Sequence, residues 1–248
     1  TADTPTLDRL TGGELYAELA AHGPAVGMPS DDDMGNSEVG HNALGAGRVF
    51  AQGAKLVNQA IATGAIFESA VWRQALQHGR DGTMHFLGLH SDGGVHSKNE
   101  HLYAMLRNAA SNGVVSAAVH ILHDGRDVAA RSALHYIAAT EAVLAEINAE
   151  APTRNFRIAS GGGRQYITMD RYDANWSMVE KGWHTHVLGE GPQFPNATAA
   201  VDGLREQNPG TIDQDLPEFV IAENGRPIGT IEDGDAVVFF NFRGDRAI

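Results

Sequence analysis

Met84-His85-Phe86-Leu87-Gly88-Leu89, then Ser91-Asp92-Gly93-Gly94-Val95-His96-Ser97, then Leu102, Met105, Leu106, Ala109 and Ala110 at helical spacing. This stretch reads as strand, loop and helix. Ser97 with Glu100 three residues later fits a capping box, and Gly113 fits the helix stop. The order then repeats. Val114 to Leu122 is a mostly apolar strand that runs into Asp124-Gly125-Arg126-Asp127, and Leu134, Ile137, Val143, Leu144 and Ile147 mark the next helix. Phe156-Arg157-Ile158-Ala159 is a third strand, entering the loop Ser160-Gly161-Gly162-Gly163-Arg164. Strand–helix–strand units of this kind close into a parallel sheet with right-handed crossovers. The fold class is α/β, with a largely parallel sheet.

Outward from this core, Ala236 to Phe240 is a fourth strong strand, exiting into Asn241-Phe242-Arg243-Gly244-Asp245-Arg246. Helices are expected over Trp176–Gly182 and Thr198–Glu206, and Glu223-Asn224-Gly225-Arg226-Pro227 reads as a hairpin turn. Upstream, Lys55–Thr63 reads as a helix, and Leu7–Leu10 and Glu14–Ala21 as short helical pieces. The segment from Met34 to Gly53 is too rich in glycine for a comfortable helix interior.

Composition narrows the function. Across 248 residues, 31 acidic against 18 basic side chains leave a formal charge of −13, which argues against a general nucleic-acid surface. With no Cys there is no disulfide scaffold, thiol nucleophile or Cys-ligated zinc. No apolar run approaches the roughly 20 residues of a membrane span, and the start lacks the order of a signal peptide. A cytoplasmic protein without a membrane partner is the default.

In an open α/β sheet, ligands bind beyond the carboxyl ends of the strands. His96, Arg126, Asp127 and Arg164 all lie in loops leaving such ends, and Arg171, Arg243 and Arg246 follow similar signals. Five Arg in an acidic protein point to an anion, because the guanidinium fork donates two parallel hydrogen bonds to carboxylate or phosphate. Each Arg taken singly has another reading, as the partner of a nearby Asp in a surface ion pair. His96, after Gly93-Gly94, is either a proton shuttle or a loop cap. Asp127 is either a general base or the group that holds Arg126. Ser37 caps a short helix from Glu38 or is a nucleophile, and a serine nucleophile needs a base or a metal. Asp31-Asp32-Asp33 reads as a metal-binding run or a solvated loop.

Taken together and in order, Met34-Gly35-Asn36-Ser37-Glu38-Val39-Gly40-His41, Ser91 to Ser97, Asp124 to Asp127, Gly163-Arg164 with Met169-Asp170-Arg171, and Asn241 to Arg246 resemble the cofactor-independent (2,3-bisphosphoglycerate-independent) phosphoglycerate mutases. Met28 to Asp33 and the Arg164–Arg171 spacing resemble the plant and kinetoplastid branch. The resemblance implies interconversion of 3-phosphoglycerate and 2-phosphoglycerate in glycolysis and gluconeogenesis. It implies two divalent metal ions (Mn2+, Mg2+ or Co2+), no bisphosphoglycerate, and a monomer whose partner is its small-molecule substrate. It also implies that Ser37 becomes phosphoserine and is a metal ligand. His96, Arg126, Asp127, Arg164, Arg171, Arg243 and Arg246 would bind substrate, with Asp127 also a general acid or base. Residues 1–51 would be the N-terminal part of an alkaline-phosphatase-like metal domain. Residues 52–248 would be the inserted phosphotransferase and substrate-binding domain. The family's opening Asp-Gly motif and its second, ligand-bearing half have no counterpart here. A fragment lacking its C-terminal end is therefore expected, inactive alone. The other readings are another alkaline-phosphatase-superfamily phosphomutase or phosphatase, or a non-catalytic anion-binding module.

Overall fold

The computed structural model describes residues 3–169 and 175–244. The chain forms two compact units, Thr1–Gln52 and Gly53–Ile248.

The first unit holds helix α1 (Pro5–Thr11), which buries none of its residues, and helix α2 (Ser37–Ala46), whose Val39 joins Val26 and Met28 in a small core. Residues 14–21 are not helical. Leu15 is 102% exposed and Leu19 79% exposed, so nothing packs on the apolar stripe that a helix there would bury. By contrast α2 forms despite Gly40 and Gly45, because Asn36 caps it: the Asn36 side chain accepts from the Glu38 and Val39 N–H groups at 3.0 and 3.2 Å. The cap is therefore Asn36, and Ser37 is the first residue of the helix.

The second unit begins with α3 (Gly53–Ala62) and α4 (Ala70–Asp81). It continues β1 (Met84–His90), α5 (Asn99–Ser111), β2 (Ser116–His123), α6 (Ala133–Ala149) and β3 (Asn155–Gly163). There follow α7 (Trp176–His186), β4 (Gln193–Phe194), α8 (Ala197–Gln207), β5 (Phe219–Glu223), β6 (Arg226–Pro227) and β7 (Ala236–Phe239). The sheet runs β4-β5-β3-β2-β1-β7, with β6 paired to β5. Strands β3, β2, β1 and β7 are mutually parallel; β5 runs against β3. Strands β5 and β6 are joined through Asn224 and Gly225, both at positive φ, as a tight hairpin requires.

The core lies between this sheet and its helices. Met84 and Phe86 of β1, Val119 and Ile121 of β2 and Phe156 and Ile158 of β3 pack with Leu102, Leu106 and Ala109 of α5 and with Ile137, Leu144 and Ile147 of α6. Each of these side chains larger than alanine contributes roughly 1.5–3 kcal/mol through removal from water. Two local expectations change. Ser97 makes no capping box: its hydroxyl donates to the Leu89 carbonyl, and α5 starts after Lys98 without a side-chain cap. The glycines after Ala159 extend β3 as far as Gly163, because that backbone runs against another. A Cβ on Gly163 would sit 2.3 Å from the Gln214 carbonyl oxygen, a contact only glycine permits.

The parallel register sets His90, His123 and Gly163 side by side, so the loops after β1, β2 and β3 leave one edge together. Strand β7 pairs with β1 up to Leu87 and Phe239, and its exit joins the same edge.

Candidate active site

Asp124, the first residue beyond β2, organises this edge. It is buried. Its Oδ2 accepts from the Ser91 hydroxyl at 2.5 Å, tying the loop after β1. Its Oδ1 accepts from the backbone N–H groups of Arg126 and Asp127 at 3.2 and 3.1 Å, closing an Asx-type turn on its own loop. The same oxygen accepts from Arg164 Nη1 at 2.6 Å, tying the exit of β3.

Arg164 is only 2% exposed and lies between two carboxylates, with Nη1 also 2.6 Å from Asp127 Oδ2. A buried guanidinium is tolerated only with such pairing. Asp127 thus holds Arg164, while the Arg126 guanidinium is exposed and makes no ion pair among the described residues. Of the two readings of Asp127, the one that pairs it with Arg126 is not seen among the described residues; its carboxylate pairs with Arg164 instead. Gly93 lets the first loop touch the second: a Cβ there would meet the Asp127 carbonyl oxygen at 3.1 Å.

His96 is buried, and its carbonyl accepts from the Phe242 N–H at 2.8 Å. Asn241 Oδ1 accepts from the Leu89 N–H at 2.9 Å. These two bonds bring the exit of β7, with half-buried Arg243, against the loop after β1. Arg171 and Arg246 lie outside the described residues.

Behind the edge stand neutral imidazoles. Burial pushes His90 and His123 down to about 3. His90 Nε2 meets the Thr140 hydroxyl at 2.7 Å, and that hydroxyl also meets Tyr103 at 3.0 Å.

In the first unit Ser37 is exposed at the head of α2. His41 Nδ1 lies 3.3 Å from its hydroxyl and 2.7 Å from its carbonyl oxygen. The carbonyl can only accept, so Nδ1 carries the proton and cannot serve as the base for Ser37 in this arrangement. Asp33 is buried and accepts from the Ser30 N–H and hydroxyl at 2.9 and 2.7 Å, while Asp31 and Asp32 are exposed. Asp33 is thus tied into its own loop rather than solvated, while its two acidic neighbours face solvent.

Residues 57–248 match the family model described as the BPG-independent PGAM N-terminus. The chain belongs to this family. Members of the BPG-independent PGAM family align with it throughout. The "Probable 2,3-bisphosphoglycerate-independent phosphoglycerate mutase" of Leptospira interrogans is 53% identical over 249 residues, covering 100% of this chain and 45% of that protein. The Trypanosoma brucei brucei enzyme is 51% identical over 253 residues, with the same coverage. A solved phosphoglycerate mutase of Leishmania mexicana, at low cobalt concentration, superposes with a TM-score of 0.95 at 46% identity, over 99% of this chain and 45% of that one. The chain spans less than half the length of these BPG-independent PGAM relatives.

The sequence reading misses Asp124 and Ser91 as site residues, although the Asx-turn signal in Asp-Gly-Arg-Asp is visible. It also misses Asp213. That carboxylate accepts from the Ala133 N–H at 2.7 Å and pairs with Arg205, bracing the segment that follows the β2 loop. No local pattern announces a pairing between residues 80 positions apart.

Proposed function

We propose that the protein interconverts 3-phosphoglycerate and 2-phosphoglycerate through a phosphoserine at Ser37, in the cytoplasm, as a monomeric enzyme of glycolysis and gluconeogenesis. The observation that carries this reading is the Asp124 hub, which gathers three strand exits and presents Arg126 and Asp127 at their common edge. The names of the relatives at about half identity support it.

On this reading the first unit supplies the nucleophile and the second supplies the groups that hold glycerate. Ser37 heads a ten-residue helix, whose positive end suits a phosphoryl group. Arg126 is free to grip an incoming anion. Arg164, His96 and Arg243 line the same edge; the family resemblance adds Arg171 and Arg246, which lie outside the described residues, as substrate-binding residues. Ser37 takes the phosphoryl group while glycerate stays held. As the P–O bond to glycerate breaks, the Ser37 hydroxyl proton passes to the departing oxygen; in the return transfer the other hydroxyl attacks the phosphoserine and its proton goes back to Ser37 Oγ, with the Asp127 carboxylate relaying the proton each time. No bisphosphoglycerate is consumed.

Two divalent ions (Mn2+, Mg2+ or Co2+) belong to this reading, with Ser37 as one ligand. Among the described residues no three His, Asp or Glu side chains converge as a metal site would require. The described residues by themselves therefore supply no complete metal centre. No helix among the described residues is long and apolar enough to cross a membrane.

The test is direct. The complete protein, incubated with 3-phosphoglycerate and digested, should show phosphate on Ser37 by mass spectrometry. Full mutase activity in Ser37→Ala would reject the mechanism.

A further inference from the structure

A chain of polar side chains, buried along its middle and half-buried at its two ends, crosses the face of the sheet opposite α5 and α6. It starts at Asp235, just before β7, whose Oδ2 is 3.1 Å from His85 Nε2 on β1. His85 Nδ1 is 2.9 Å from His120 Nε2 on β2. His120 Nδ1 is 2.7 Å from the Ser160 hydroxyl on β3. That hydroxyl is 2.7 Å from His186 Nδ1, at the end of α7, and His186 Nε2 is 3.0 Å from the Thr168 hydroxyl.

Donor and acceptor rules fix every proton in this chain. Asp235 takes the Thr83 and Glu232 N–H groups on its two oxygens, at 2.7 and 3.0 Å. Burial opposes its charge, but these bonds and His85 hold its carboxyl below the usual range. Asp235 therefore accepts, and His85 donates from Nε2. Burial keeps all three imidazoles neutral. His85 Nδ1 then accepts from His120 Nε2–H, and His120 Nδ1 accepts from the Ser160 hydroxyl. Ser160 accepts from His186 Nδ1–H, and His186 Nε2 accepts from Thr168. All five bonds point towards Asp235 and none conflicts.

The far end of the chain is a strained residue. Thr168 has φ +69°, a left-handed conformation that β-branched residues rarely adopt. Its N–H donates to the Met178 carbonyl at 3.0 Å. Gly182 of α7 leaves room for it: a Cβ there would come within 2.2 Å of the Thr168 hydroxyl oxygen. The turn so held seats the residues on either side, Ile167 and Met169, in a fully buried cluster with Leu89 and Leu122. Leu89 stands two residues before Ser91, and Leu122 two before Asp124. The cluster is thus the floor beneath the Asp124 hub.

We propose that Thr168 is a positioning residue for the phosphoglycerate site, held in its left-handed turn by the directed hydrogen-bond chain Thr168–His186–Ser160–His120–His85–Asp235. The proposal rests on the mutase reading for its functional consequence and on the geometry alone for the chain itself.

Two measurements test it. In 15N-labelled protein at pH 7, the ring-nitrogen shifts should show His85 and His120 protonated on Nε2 and His186 on Nδ1, all neutral. A charged ring or the opposite tautomer at His186 would overturn the directed chain. In the complete protein, Thr168→Val, which keeps the shape and removes the hydroxyl, should raise KM for 3-phosphoglycerate at least five-fold, with kcat within two-fold of wild type. Thr168→Ser should restore the wild-type KM. An unchanged KM in a folded Thr168→Val protein, or no rescue by Ser, overturns the positioning role. If Thr168→Val does not fold, Ser160→Ala, which breaks the chain at its middle, is held to the same KM criterion. Phosphate on Ser37 in the wild-type protein is scored in parallel. Its absence fails the mutase reading while leaving the tautomer result to decide the chain.

Discussion

Arg164 donates from Nη1 to Asp127 Oδ2 across 2.6 Å, joining the exit of β3 to the exit of β2. The same nitrogen meets Asp124, so one buried cation is shared by two carboxylates. Removing Asp124 would strip Arg164 of one partner and strip Ser91 and two backbone N–H groups of their acceptor. Breaking a buried pair from one side costs about 3–5 kcal/mol. Asp124→Ala should therefore lose about that much in urea unfolding of the chain. A loss below 1 kcal/mol would show that the hub does not brace the edge.

Arg126 makes the opposite prediction. Its guanidinium is exposed, and its backbone N–H alone takes part in the hub. Arg126→Ala should leave unfolding within about 0.5 kcal/mol of wild type, as surface changes usually do. It should also weaken substrate binding by the complete protein by about 1.5–3 kcal/mol, the scale of a charged hydrogen bond. Unchanged affinity, read by calorimetric titration, would remove Arg126 from the site.

The difference between these two arginines marks how far the sequence could be read. Periodicity placed β1, α5, β2 and α6, because each carries a strong repeat and buries it, and parallel order followed from the crossovers. That put His96, Arg126, Asp127 and Arg164 on one edge. Which Arg is buried and which reaches solvent was not readable, since it depends on a turn closed by Asp124 and on two strands in register. Glu14–Ala21 failed for a related reason: a helical pattern forms a helix only where something covers its apolar face. Ser97 had the residue type of a cap, but Leu89 offered its hydroxyl a better acceptor.

The buried histidines make stability depend on pH. Burial pushes His90, His123 and His186 down to about 3, whereas in the unfolded chain they titrate near 6.5. Below about pH 6.5 the unfolded chain binds protons that the folded chain refuses. Their contribution is therefore intact above pH 6.5 and is lost as pH falls towards 3. Each histidine contributes a slope of about 1.4 kcal/mol per pH unit, so three together give about 4. Urea unfolding at pH 7, 6 and 5 should show stability falling steeply below pH 6. The unfolding reaction at pH 5 should take up protons, read by calorimetry in buffers of different ionisation heat. A flat profile from pH 7 to 5 would show these imidazoles are not buried neutral.

The end of β3 makes the last test, because it is a contact of backbone with backbone. Gly163 donates its N–H to the Leu216 carbonyl at 2.8 Å, and the neighbouring Arg164 N–H donates to the His123 carbonyl at 3.0 Å. A Cβ on Gly163 would lie 2.3 Å from the Gln214 carbonyl oxygen and 2.7 Å from that of Asp213. Neither atom can rotate away as a side chain would, so β3 or the 212–216 segment must shift. Such overpacking costs about 1–3 kcal/mol. Because Arg164 follows directly, the shift should also disturb its pairing with Asp124 and Asp127. Gly163→Ala should lower the urea midpoint and, in the complete protein, weaken substrate binding, although the added methyl touches no substrate. Wild-type stability with wild-type affinity would mean that the edge tolerates movement at its third strand.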